Sequence, residues 1–128
     1  MRVLLDSHTL IWAADDPSKL SAAARDWIQD PVHERFISAA TAWEIAIKCG
    51  LGRLPLSLPY RTWMHKAMTD LALSMLPISL EHADHQTALL WHHRDPFDRL
   101  LAAQALVEDM PLVSADLIFD QYGVSRIW

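Results

Sequence analysis

Short apolar runs alternate with amphipathic stretches along this chain. Val3-Leu4-Leu5 is wholly apolar and stops at Asp6, the pattern of a strand buried on both faces. Ser7 to Ala13 reads as a helix start, and Asp15-Asp16-Pro17-Ser18 as a turn. Ser21 caps a second helix, Ala22 to about Gln29, which Asp30-Pro31 closes. Arg35-Phe36-Ile37-Ser38 predicts a short strand, and Ala40 to Cys49 a helix with Gly50 as its C-cap. Leu51 to Pro59 carries two prolines and a glycine and predicts a loop. Tyr60 to Leu73 is helical, with Trp63, Ala67 and Leu71 at spacing four. Leu76-Pro77-Ile78 predicts an edge strand, since proline removes a ladder donor. Glu81 to about His92 and Phe97 to Glu108 predict helices, followed by a strand at Pro111–Ser114. A short helix at Asp116–Gln121 and a terminal strand at Val124–Trp128 complete the pattern.

Strands alternating with helices pair in parallel and carry helices on both faces. The expected fold is therefore α/β, a three-layer α/β/α domain with a central, mostly parallel sheet. At 128 residues the chain has the size of one domain, spanning 1–128.

Composition narrows the function. Hydrophobic residues make up 52% of the chain, enough for a real core. Three glycines, Gly50, Gly52 and Gly123, cannot spell a phosphate-binding loop or a dinucleotide fingerprint. The single cysteine, Cys49, excludes an intrachain disulfide and a paired-cysteine zinc site. Asp6 ends the N-terminal apolar run too early for a signal sequence, and no stretch approaches the roughly 18 residues of a membrane helix. A soluble, cytoplasmic protein is expected. The net charge of −5 argues against a nucleic-acid binder, unless several of the acids hold cations.

Four acids stand out by position. In open α/β sheets, ligands bind beyond the carboxyl ends of the strands. Asp6 directly follows the first strand, and Asp116 follows Leu112-Val113-Ser114 by two residues. Glu44 belongs to a narrow polar stripe with Thr41 and Lys48, opposite an apolar face of Trp43, Ala46 and Ile47. Asp98 opens the apolar face of Leu101, Ala102 and Ala105, where a carboxylate needs a partner. Each also has a structural reading. Asp6 and Asp116 are placed as helix N-caps, Glu44 as the i,i+4 partner of Lys48, and Asp98 as first-turn support behind the cap Asp95. Asp15, Asp16, Asp26, Asp30 and Glu34 read as solvated charges.

Four stretches, LLDSHTLIW at 4–12, SAATAWEIAIKCGLGRL at 38–54, RDPFDRLLAAQA at 94–105 and PLVSAD at 111–116, together resemble the PIN-domain family, in its order and spacing. Within that family the pattern is similar to the VapC toxins of bacterial toxin–antitoxin pairs. The resemblance implies a metal-dependent endoribonuclease whose metal-binding, catalytic acids are Asp6, Glu44, Asp98 and Asp116, with Ser114 helping to orient the metal-bound water. Position 7 is serine where the family more often has threonine. A cluster of carboxylates calls for a cation, and all-oxygen ligands favour Mg²⁺ or Mn²⁺. The resemblance further implies an RNA substrate, a cognate antitoxin and a homodimer. Lys48, Arg53, Arg94 and Arg99 lie near the motifs as candidate phosphate contacts, with ordinary surface charge as the alternative.

The remaining features point elsewhere. His82 and His85 share a helix face and His92-His93 follow, but no zinc motif appears, so RNA-facing or surface roles are expected for them. Of the six tryptophans, Trp27, Trp63 and Trp91 are expected in core or interface packing, with Trp12 and Trp63 as an alternative partner surface. A haloacid-dehalogenase-type phosphotransferase wants an acid two residues after Asp6, where this chain has His8. A non-catalytic interaction module and a housekeeping RNA-processing PIN nuclease without an antitoxin are the other readings.

Overall fold

In the computed structural model, residues 1–91 and 94–128 are described. The helix predicted from Glu81 to about His92 instead spans Leu80–Ala88, because Leu89 turns to extended backbone as its C-cap, and any role for His92 and His93 lies outside the described residues. The central strand β1 (Arg2–Leu5) has Val3, Leu4 and Leu5 entirely buried, as a strand with neighbours on both edges and helices on both faces must be. It pairs in parallel with β2 (Glu34–Ser38) on one side and β4 (Leu112–Val113) on the other. β3 (Leu73–Leu76) joins β2, and β5 (Arg126–Ile127) joins β4. The sheet order is β3-β2-β1-β4-β5, parallel throughout. Helices α1 (Ser7–Asp15), α2 (Ala22–Gln29), α3 (Ala39–Gly50), α4 (Tyr60–Asp70), α5 (Leu80–Ala88) and α6 (Pro96–Val107) connect the strands, with 3₁₀ turns at Pro17–Lys19 and Leu117–Tyr122.

Alternation along the strands divides the interior into two cores. Val3, Leu5, Ile37 and Val113 meet Leu10, Ala24, Ile28, Ile45, Trp63 and Met64 of α1 to α4. Leu4 and Leu112 meet Leu101, Ala102 and Ala105 of α6, together with Phe119 and Tyr122. The alanines of α6 have 0–2% exposure, so this helix lies close against the sheet. The three-layer α/β/α architecture follows. Among the described residues, no helix is long and apolar enough to cross a membrane.

Several predicted boundaries move. The helix predicted over Tyr60–Leu73 stops at Asp70, because Ala72 takes a left-handed φ of 49° and turns the chain. The strand then occupies Leu73–Leu76, not Leu76–Ile78, with Leu73 and Leu76 buried. Gly50 is the last residue of α3 and does not cap it. Leu51 is the C-cap, and Gly52 takes the positive φ of 69° two residues on. The segment after Asp116 is a 3₁₀ helix closed by Gly123, not an α-helix. The face of α3 is also inverted. Trp43 and Ile47, predicted as its apolar side, are exposed, while Thr41, Glu44 and Ile45 are buried. Trp63 is a core residue at 2% exposure and no partner surface, whereas Trp91 is exposed.

Three polar side chains tie elements of the fold together. Arg99 is buried, so it is no phosphate contact. Its guanidinium donates to the carbonyls of Leu90 (2.7 Å), Gln86 (3.1 Å) and Leu89 (3.2 Å), the orphan acceptors at the end of α5. His82 is also buried, not RNA-facing: it forms a capping box with Ser79 and meets Glu108 at 3.0 Å. Asp15, read as a solvated charge, accepts from the Ser57 hydroxyl (2.7 Å), the Ser57 N–H (3.1 Å) and Trp63 Nε1 (3.0 Å). It thereby fastens the end of α1 to the loop before α4.

Arg99→Met keeps the volume but strands three carbonyls. It should cost about 2–4 kcal/mol of stability in urea unfolding, with Arg99→Lys recovering only part, since an ammonium lacks the fork. A phosphate contact would leave stability intact. Burial works against ionisation of Asp15, but the Ser57 and Trp63 hydrogen bonds outweigh it and hold the carboxyl below its ordinary 3.8. A depressed folded-state value means stability that is present above 3.8 and lost as the pH falls through the folded value. Asp15→Asn should therefore flatten the acid limb of the stability–pH curve relative to the wild type.

Candidate functional site

The connection from β1 leads to β2 on one side, while β4 lies on the other. The β1/β4 boundary is thus the switch point of the sheet, the place at the carboxyl ends where open α/β sheets bind their ligands. Leu5 pairs with Val113 in register, so the next residues, Asp6 and Ser114, emerge side by side. Ser114 Oγ donates to Asp6 Oδ2 at 2.5 Å and accepts from the N–H of Asp116 at 3.0 Å. One buried hydroxyl therefore links the Asp6 carboxylate to the backbone of Asp116. Asp6 Oδ1 accepts from the N–H of Thr9 at 2.8 Å, and the Thr9 hydroxyl donates to Val113 O at 2.8 Å. Thr9 was not anticipated as a site residue. Its position three residues after a strand-end Asp, where an N-cap finds its donor, is the signal for it. Asp116 caps the 3₁₀ turn through Ile118 N–H at 3.0 Å. The capping readings of both Asp6 and Asp116 hold.

A second set lies on α3 and α6. Glu44 is buried, and Lys48 Nζ lies 2.8 Å from its Oε2, so the predicted i,i+4 pair forms. Lys48 is held above its ordinary 10.5, first by its hydrogen bond to Glu44. Burial opposes this, and the charges of Glu44, Asp95 and Asp98 add to it. Lys48 thus stands in the joint field of α3 and the start of α6. Asp95 caps α6 through Phe97 and Asp98 N–H groups (2.9 and 3.4 Å), which leaves Asp98 in the first turn.

The four acids form two sets, Asp6–Ser114–Asp116 and Glu44–Lys48–Asp98. Among the described residues, no three His, Cys, Asp or Glu side chains converge closely enough to hold a metal in this arrangement. The donor chemistry nonetheless suits a hard cation. Asp6 and Glu44 are carboxylates with 6% exposure each, and the ammonium of Lys48 occupies the place of positive charge beside one of them. Of the other predicted phosphate contacts, Arg53 and Arg94 are exposed.

Residues 3–124 match the family model of the PIN domain. Ribonuclease VapC22 of Mycobacterium tuberculosis is 30% identical over 117 residues, covering 89% of this chain and 86% of that protein. Among solved structures, VapBC2 from Rickettsia felis bound to a promoter DNA fragment superposes with a TM-score of 0.69 at 15% identity, covering 100% of both chains. VapBC-1 from nontypeable Haemophilus influenzae gives 0.67 at 17% identity, covering 98% of this chain and 96% of that one. At those identities the structural likeness bears on the fold. The family model and the VapC22 relative, each spanning most of the chain, establish that it belongs to the PIN domain family.

Proposed function

We propose that this protein is a divalent-metal-dependent endoribonuclease and the toxin of a type II toxin–antitoxin pair. The observation that carries the reading is the buried Asp6 carboxylate, oriented by Ser114 Oγ and the Thr9 N–H at the β1/β4 switch point of a PIN domain. The VapC22 relative supports ribonuclease activity, and the VapBC assemblies among the structural relatives support an antitoxin partner. A homodimer in the cytoplasm is part of the same proposal.

Mg²⁺ or Mn²⁺ suits this oxygen-only donor set, with Asp6 and Asp98 as the firmest ligands and Glu44 and Asp116 beside them. Such an ion supplies positive charge against a phosphodiester and lowers the pKa of a bound water. The chain's own groups do the rest. Thr9 N–H and Ser114 Oγ each hold one oxygen of Asp6, so its carboxylate is oriented before any ligand arrives. Ser114 takes part in orienting water through Asp6. Lys48 offsets the charge of Glu44 and draws on Asp95 and Asp98, which limits mutual repulsion among the acids. Arg53 and Arg94 are exposed cations available to flanking phosphates.

Asp6→Asn and Asp98→Asn should each lower Mn²⁺-dependent cleavage of single-stranded RNA by at least about 100-fold. Circular dichroism should show both folded, and both should lose the rise in melting temperature that Mn²⁺ gives the wild type. Wild-type cleavage by both variants removes the assignment. Wild type that neither cleaves RNA nor responds to Mn²⁺ leaves a non-catalytic module. Lys48→Met should leave the buried Glu44 carboxylate without its counter-charge, costing about 1–3 kcal/mol in unfolding experiments without metal. Millimolar Mn²⁺ should restore part of that loss if Glu44 is a ligand.

A further inference from the structure

Trp43 and Phe97 each immediately precede one of the acids, Glu44 and Asp98, on two different helices. Their rings meet across the α3–α6 junction, with centroids 5.7 Å apart and planes at 72°. The edge-on contact fixes the attitude of the indole without covering it, and Trp43 remains 63% exposed. Exposing most of a tryptophan forfeits burial worth several kcal/mol, on a helix whose other side does enter the core. The ring also sits among charges: Glu44 and Lys48 lie on its own helix, and Asp95 and Asp98 on that of Phe97. A protein segment covering the ring would have to desolvate those charges. A nucleobase needs only the ring face, and its phosphate would be held by Lys48 and by a cation bound to the acids, since bare carboxylates would repel it.

We infer that the Trp43–Phe97 pair is the stacking platform for the nucleobase beside the phosphodiester that is cut. The inference rests on the endoribonuclease reading and adds to it a residue that sets substrate position and base preference. Neither ring touches the reacting atoms. Trp43 is the surface on which the base lies, and Phe97 is the buttress that holds the indole in place.

The test uses a random-sequence single-stranded RNA pool, cleaved in Mn²⁺ and sequenced at the cut ends, and then an oligonucleotide carrying the preferred cut site. Trp43→Ala should raise KM for that oligonucleotide by about 10-fold with kcat nearly unchanged, and flatten the base bias at one position flanking the cut. Trp43→Phe should recover most of the affinity. An oligonucleotide abasic at that position should impose the same KM penalty on the wild type and no further penalty on Trp43→Ala. That arm on the wild type needs no altered protein, so it can overturn the platform even if Trp43→Ala fails to fold, and Trp43→Phe, which keeps an aromatic ring, then carries the assignment to Trp43. A wild-type KM and cut profile in Trp43→Ala would overturn the proposal, as would an abasic substrate bound normally by the wild type. A variant that loses only its hold on a protein inhibitor, and cuts RNA normally, would also overturn it and mark the pair as a protein-docking surface. A wild type inert on the pool fails at the endoribonuclease reading, whereas a wild type that cuts with no Trp43 effect fails at the platform alone.

Discussion

The 2.5 Å hydrogen bond from Ser114 to Asp6 joins residues 108 positions apart, and the site is organised around it. It exists because β1 and β4 run parallel with Leu5 opposite Val113, so that each strand delivers its next residue to the same edge. A hydrogen bond to a buried charge is worth about 1.5–3 kcal/mol, and an unmade one costs at least as much. Asp6 is only 6% exposed, so its oxygens need hydrogen-bond partners within the fold. The network that makes a buried carboxylate tolerable is therefore the same one that fixes its direction. Thr9 extends it to the backbone of β4, and Asp116 extends it to the following 3₁₀ turn.

Charge balance is the second constraint. The chain is acidic overall, with a formal net charge of −5. Asp6 meets it with neutral donors, whereas Glu44 meets it with Lys48 at 2.8 Å. The two halves thus use different means. One is stabilised by oriented dipoles that a cation would complement, the other by an ammonium whose place a cation would share. Active sites commonly carry local arrangements that weaken stability elsewhere in the fold. Here Lys48 is the group that offsets the buried charge of Glu44.

Much of this was legible in sequence because it depended on local pattern. Val3-Leu4-Leu5 ending in Asp6, and the alanine-rich face of α6, announce a buried strand and a closely laid helix without reference to anything distant. The strand-end positions of Asp6 and Asp116 follow from the same local reading. What escaped depended on neighbours far along the chain, or on backbone angles that residue type does not reveal. The left-handed Ala72 separates α4 from β3 without a glycine to mark it. Arg99 looks like a surface cation beside a motif, until the carbonyls at the end of α5 close over it. The facing of α3 was inverted for a related reason. A stripe of Thr41, Glu44 and Lys48 reads as solvent-facing, yet Thr41 and Glu44 turn inward and leave Trp43 outside.

The central claim is that the β1/β4 switch point and the start of α6 together form a divalent-cation site. A crystal grown or soaked with Mn²⁺ and measured at a wavelength where manganese scatters anomalously tests this most directly. The account predicts an anomalous peak within about 2.0–2.5 Å of carboxylate oxygens of Asp6 and Asp98. A peak confined to other surface carboxylates, or none at millimolar Mn²⁺, would contradict it.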